Sequence, residues 1–107
     1  MEVSARKLRR AVEFQHGGTA KLVTKLRVKD VFEGKTVWDG VVYIFDLEGN
    51  SKTTRAYAWS SPGEGKNPKR RFFAVLHLDS VRSPLDAVRA AIVEEHRNAN
   101  RNLTPRR

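Results

Sequence analysis

Thr36 to Leu47 (TVWDGVVYIFDL) is the longest run in this chain dense in β-branched and aromatic residues, and glycine turns bracket it. Such a run between turn signals reads as a central strand. Glu33-Gly34-Lys35 precedes it and Glu48-Gly49-Asn50-Ser51-Lys52 follows it. Alternating apolar segments continue on both sides, so the pattern predicts an antiparallel meander with this strand inside it.

From Lys21 the period is two, with Leu22, Leu26 and Val28 on one face and Lys21, Lys25, Arg27 and Lys29 on the other. Pairing across a three-residue turn sets Leu26 opposite Val42, Thr24 opposite Ile44, Lys25 opposite Tyr43 and Arg27 opposite Val41. Beyond the central strand, pairing about Asn50 sets Tyr43 opposite Tyr57, Val41 opposite Trp59 and Phe45 opposite Arg55. Ala56 and Ala58 then back Ile44 and Val42. Ser61 to Lys69 is a Gly/Pro-rich loop too long to set the register of the strand after it, Arg71 to Asp79. The apolar face of that fourth strand, Phe72, Ala74, Leu76 and Leu78, is aligned with Val42 and Ile44.

Residues 4–15 place Ala5, Leu8, Ala11 and Val12 at helical spacing, with Gly17-Gly18 as a stop. The rival is a hairpin across the glycine pair, which would set Glu13 opposite Leu22 and Phe14 opposite Lys21, charge against core on both faces. A short N-terminal helix is therefore expected. Ser83-Pro84-Leu85-Asp86 opens a second helix, with Ser as N-cap, Pro in the first position and Asp in the first turn. It is expected to run to about Asn98, laying Leu85, Val88, Ala91 and Ile92 on the sheet. The fold class is α+β: a four-stranded antiparallel meander sheet with a C-terminal helix on one face and a short N-terminal helix. Residues 1–99 form a single domain and 100–107 a disordered basic tail.

A chain of 107 residues can bury a core without a staple. It has no Cys, which excludes disulfides, a cysteine nucleophile and a thiolate zinc site, and fits a reducing compartment. It shows no secretory apolar core and no bilayer-length apolar run, so a soluble, cytoplasmic protein without a membrane partner is expected. The net charge of +9 is uneven, being +6 over residues 1–29, −3 over 30–64 and +6 over 65–107. Clustered cations favour an anionic partner through counterion release, nucleic acid first. The plainer reading is solubility and loose tails, since the cations of Arg6 to Arg10 and the terminal Arg pair lie where disorder is common.

With a helix on one face, the other would carry Lys25, Arg27, Lys29, Tyr43, Phe45, Arg55, Tyr57, Trp59, Arg71, Phe73 and His77. Cations flanking aromatics suit single-stranded nucleic acid, because bases stack on rings while Lys and Arg track phosphates. Lys66, Lys69 and Arg70 in the adjoining loop would touch phosphates as well. The expectation is a small non-enzymatic protein that binds RNA or single-stranded DNA with little sequence specificity. The alternative is a protein-interaction or homodimerisation module whose aromatic face is buried.

No cofactor or metal motif stands out. Gly63-Glu64-Gly65-Lys66 lacks the Ser/Thr of a phosphate-binding loop, because Asn67 and Pro68 follow the lysine. His16, His77 and His96 lack metal-ligand spacing. Asp39 and Asp46 fall on opposite strand faces, and nothing near His77 supplies a nucleophile. Arg70 to His77 (RRFFAVLH) resembles in part the first ribonucleoprotein signature of RNA recognition motifs. Arg70, Phe72 and Val75 match it, whereas Arg71 replaces its Gly, Phe73 and Ala74 depart, and His77 replaces its last aromatic; the order of elements differs too. Four strands followed by one long helix is similar, in topology alone, to dimeric single-stranded-DNA-binding coactivators of the PC-four type.

Overall fold

The structure is a computed structural model that describes residues 5–61 and 70–103, with side chains to residue 94. The elements run α1 (Ala5–His16), β1 (Thr19–Phe32), β2 (Lys35–Glu48), β3 (Arg55–Ser61), β4 (Arg71–Leu76) and α2 (Pro84–Leu103). The strands form one antiparallel sheet in the order β1-β2-β3-β4. This is the expected α+β meander. α2 continues past Asn98 to Leu103, because no glycine or proline interrupts the chain between Pro84 and Pro105.

β1 and β2 pair as the alternation of lysine and leucine dictates, with Thr24, Lys25, Leu26 and Arg27 opposite Ile44, Tyr43, Val42 and Val41. Their turn is shorter than expected. Glu33 and Gly34 both take positive φ (51° and 78°), and Phe32 pairs directly with Lys35, a two-residue turn of the type whose twist suits a hairpin. An extra residue in β2, Val37, restores the register between Thr36 and Trp38. A second bulge at Val23 of β1 turns Leu22 to the face of Phe45, away from Leu26.

β2 and β3 depart from expectation by one residue. Tyr43, Ile44, Phe45 and Asp46 face Ala58, Tyr57, Ala56 and Arg55, so every β3 side chain sits on the face opposite to the one expected. The cause lies in the connection, which spans residues 49–54 and closes with the Leu47 N–H donating to the Thr54 carbonyl at 2.8 Å. Asn50 organises it: Oδ1 accepts from the N–H groups of Lys52 (2.8 Å) and Thr53 (3.2 Å), and Nδ2 donates to the His16 carbonyl at the end of α1 (3.0 Å). β4 follows β3, with Ala74 opposite Ala58 and Phe73 opposite Trp59. Ala74 and Leu76 therefore lie with Tyr43 and Phe45, not with Val42 and Ile44 as expected.

The sheet is covered on both faces. Under α1, Leu8 and Val12 pack on Ala20, Tyr43, Phe45, Leu47, Ala56, Ala58, Ala74 and Leu76. The alanines of β3 and β4 leave room for the helix to lie close. Under α2, Ala87 and Val88 pack with Val28, Val42, Ile44, Tyr57, Trp59 and Val81. Three rings join there: Trp59 stacks on Phe73 with centroids 5.4 Å apart and meets the edge of Trp38 at 6.0 Å. The Trp38 ring lies over Gly40, where an added Cβ would come within 2.8 Å of it. The α2 entrance is capped as expected, with the Asp86 N–H donating to Ser83 Oγ (3.1 Å) and the Arg82 N–H donating to the Asp86 carboxylate (3.1 Å). The one buried charged side chain among the described residues is Asp30 of β1, which receives two hydrogen bonds from Arg89 of α2 (3.1 and 3.3 Å).

α1 ends on Gly17 and Gly18, both at positive φ, and their substitution separates two effects. A Cβ at Gly17 meets nothing within 4 Å, whereas one at Gly18 would lie 2.6 Å from the Glu48 carbonyl oxygen. Gly17→Ala should cost about 1 kcal/mol from left-handed backbone strain alone. Gly18→Ala should cost clearly more, because the β2 end must move. Urea unfolding of the two variants checks the order, and equal losses would contradict the close packing of Gly18 on β2.

Candidate nucleic-acid interface

The residues expected to share one aromatic and basic face are divided between two. Lys25, Arg27 and Lys29 project from the α1 side of β1, the face of Tyr43, as their pairing with Tyr43, Val41 and Asp39 requires. Lys25 Nζ lies 5.8 Å from the Tyr43 ring centre, and the ring itself is only 8% exposed because α1 covers it. Tyr57 and Trp59, at 1% and 2% exposure, point to the other face, beneath α2. Phe73 is half-buried there, with the Arg71 guanidinium 5.0 Å from its ring. The one-residue change of β3 register produces this division. Tyr43, Tyr57 and Trp59 therefore form no stacking platform.

The remaining expected residues lie elsewhere. Arg55 faces Asp46 at 3.8 Å, and Arg70 donates to Ser60 Oγ (3.0 and 3.2 Å) at the start of β4, across the sheet from β1. Lys66 and Lys69 lie outside the described residues.

Sequence reasoning missed the cations that do converge. Arg6, Arg9 and Arg10 recur at the spacing of one helical flank, and Arg6 and Arg9 border an open cleft between α1 and β1 of about 330 Å³ that Lys21 also lines, although its pairing with Asp46 sets its side chain on the other strand face. Ala5, Ala20, Leu22 and Phe45 complete its lining, which holds no carboxylate. Glu13, one turn further along α1, is already engaged as acceptor of the Ala20 N–H (2.8 Å). The signal available was the i, i+3, i+4 recurrence of arginine beside the apolar positions Ala5, Leu8 and Val12.

Along β1 this cationic edge continues with Lys25, Arg27 and Lys29, alternate residues about 6.8 Å apart on one strand face. Arg27 is held by Asp39 through two 3.1 Å hydrogen bonds. These bonds hold the Asp39 carboxyl below its ordinary range and the Arg27 guanidinium above its own. Arg27 is thus fixed in direction while its outer surface stays exposed. Two further acids of the sheet are engaged as well, Asp46 with Arg55 and Asp30 with Arg89.

His77 lies on the far side of the molecule. Its Nδ1 is 2.6 Å from the Tyr57 hydroxyl, a hydrogen bond between the two side chains, and it borders a polar depression formed with Lys52, Asp79, Ser80 and Arg82. Among the described residues no group of three His, Cys, Asp or Glu side chains could hold a metal ion, and no helix is long and apolar enough to cross a membrane. No family model matches the chain, and neither the curated proteins nor the solved structures contain a match to it.

Burial raises the Tyr57 hydroxyl above its ordinary value near 10. In alkali the unfolded chain releases this proton before the folded one does, so the stability that Tyr57 contributes is complete below pH 10 and falls as pH rises beyond it. Tyr57→Phe should flatten that alkaline loss, at the cost of one hydrogen bond to His77. Thermal melts of both proteins on either side of pH 10 measure the difference; parallel curves would show that Tyr57 is not the responsible group.

Proposed function

We propose that the protein binds nucleic acid, in single-stranded form and with little sequence preference, through phosphate contacts made by α1 and β1. The observation that carries this reading is the pairing of Arg6 and Arg9, beside a cleft whose lining holds no carboxylate, with Lys25, Arg27 and Lys29 on the same face of the strand beside it. Cations at such density, of which only Arg27 is paired with a carboxylate among the described residues, repel one another, and a polyanion relieves that repulsion while releasing its own counterions. A rigid strand with a cation at every second residue suits a linear row of phosphates. Contacts of this kind position a strand without reading its bases, which supports low sequence specificity. Affinity in this reading comes from the cations, with the buried rings serving the core.

The test is fluorescence anisotropy with a labelled oligothymidylate at several salt concentrations. Affinity should fall steeply with salt. The double variant Arg9→Ala/Lys25→Ala should bind more weakly and show a log–log salt slope shallower by about 0.7 for each cation removed. Absence of binding at low salt, or an unchanged slope in the variant, would refute the proposal. Binding to phosphatidylglycerol vesicles without binding to the oligonucleotide would assign the surface to anionic lipid instead.

A further inference from the structure

The cleft between α1 and β1 has a second property that a phosphate-tracking surface does not need, namely an apolar floor under its cationic rim. Ala5 of α1 and Ala20 of β1 are small, so the helix and strand do not close completely above Phe45, which is itself fully buried. The bulge at Val23 turns Leu22 toward this gap, opposite Phe45, and leaves it 41% exposed. Without the bulge Leu22 would share the face of Leu26, and the cleft floor would lose its largest accessible apolar side chain. Arg6 and Arg9 stand beside this floor, with no ion pair among the described residues engaging either of them, while Lys21, paired opposite Asp46, belongs to the other face of β1.

We infer that this cleft is a subsite for one unpaired nucleobase, which lies on Leu22, Ala5 and Ala20 while Arg6 and Arg9 hold the phosphates that flank it. The inference rests on the nucleic-acid reading above and adds a requirement to it: the ligand must offer a free base. A volume of about 330 Å³ is at the lower end of ligand sites and suits a single nucleotide. A stacked base pair cannot enter it. Guanidinium groups are suited to both parts of such a ligand, since the plane stacks on a base and the N–H fork meets a phosphate. Leu22 supplies apolar contact to any base, so the subsite distinguishes strand from duplex and not one sequence from another.

The test compares three labelled probes of equal length, namely oligothymidylate, an abasic deoxyribose-phosphate strand, and a duplex. Oligothymidylate should bind roughly tenfold more tightly than the abasic strand, the scale of one or two base contacts. Leu22→Ser should remove that ratio while leaving abasic binding unchanged, and Arg6→Ala should weaken both strands together. Leu22 is exposed enough for Leu22→Ser to fold, which a thermal melt confirms. Equal binding of base-bearing and abasic strands, or duplex binding as tight as single strand, overturns the subsite and leaves the phosphate reading intact. If neither strand binds, both readings fail. If Leu22→Ser retains the full ratio, base recognition occurs elsewhere and the cleft assignment is wrong.

Discussion

The side chain of Asn50 decides which face of the sheet each residue of β3 occupies. By accepting hydrogen bonds from two backbone N–H groups of its own loop it fixes a connection with an even number of residues between Glu48 and Arg55. Its amide N–H, donating to the last carbonyl of α1, fastens that loop to the helix. α1 is held again where His16 Nε2 donates to the Ala74 carbonyl of β4 (2.7 Å) and where Glu13 accepts from Ala20 of β1. The helix, the loop and three strands are thus one hydrogen-bonded unit. Because side chains alternate along a strand, a connection longer or shorter by one residue would exchange Tyr57 and Trp59 with Ala56 and Ala58.

That exchange would leave neither core workable. On the α1 side the alanines of β3 and β4 accommodate Leu8 and Val12, while on the α2 side the rings of Trp38, Trp59 and Phe73 fill the space above small helix residues such as Ala87, Ala90 and Ala91. Burying the aromatics intramolecularly also settles where charge can accumulate. Acids are drawn into structural roles, Asp86 at the α2 entrance, Asp30 beneath Arg89 and Asp39 beside Arg27, and the arginines and lysines of α1 and β1 are left as the outward surface. A strongly basic composition thereby becomes a directional one.

The sequence made the first hairpin legible because its two faces differ sharply: lysine and leucine alternate, and a slip of one residue would bury charge. A shorter turn than expected changed nothing in the middle of the hairpin, since the bulge at Val37 compensated it. In β3 the alternation of tyrosine and tryptophan with alanine is compatible with either face, as both rings and alanines can be buried. The choice depended on the loop, and the role of Asn50 in it is a side-chain geometry that periodicity does not carry. The same applies to β4, whose apolar residues were assigned to the wrong helix. The Ser83 cap was readable because the N–H groups of a first helical turn need an acceptor wherever the helix packs. The arginines of α1 were the opposite case: beside a chain terminus they resemble a solvated tail, and only the packing of Leu8 and Val12 makes their flank a fixed surface.

β1 is an edge strand of 14 residues, with no strand partner on one side of its backbone among the described residues. Such an edge is a template for joining copies into extended sheets. Two copies of this strand, laid side by side, would bring lysine and arginine rows into register with each other and set the Val23 kink of one against the regular pleat of the other. Both features oppose growth of the sheet from molecule to molecule. The cations of β1 therefore keep the edge accessible in a crowded solution, at a place where an uncharged strand of the same length would be consumed by its own kind.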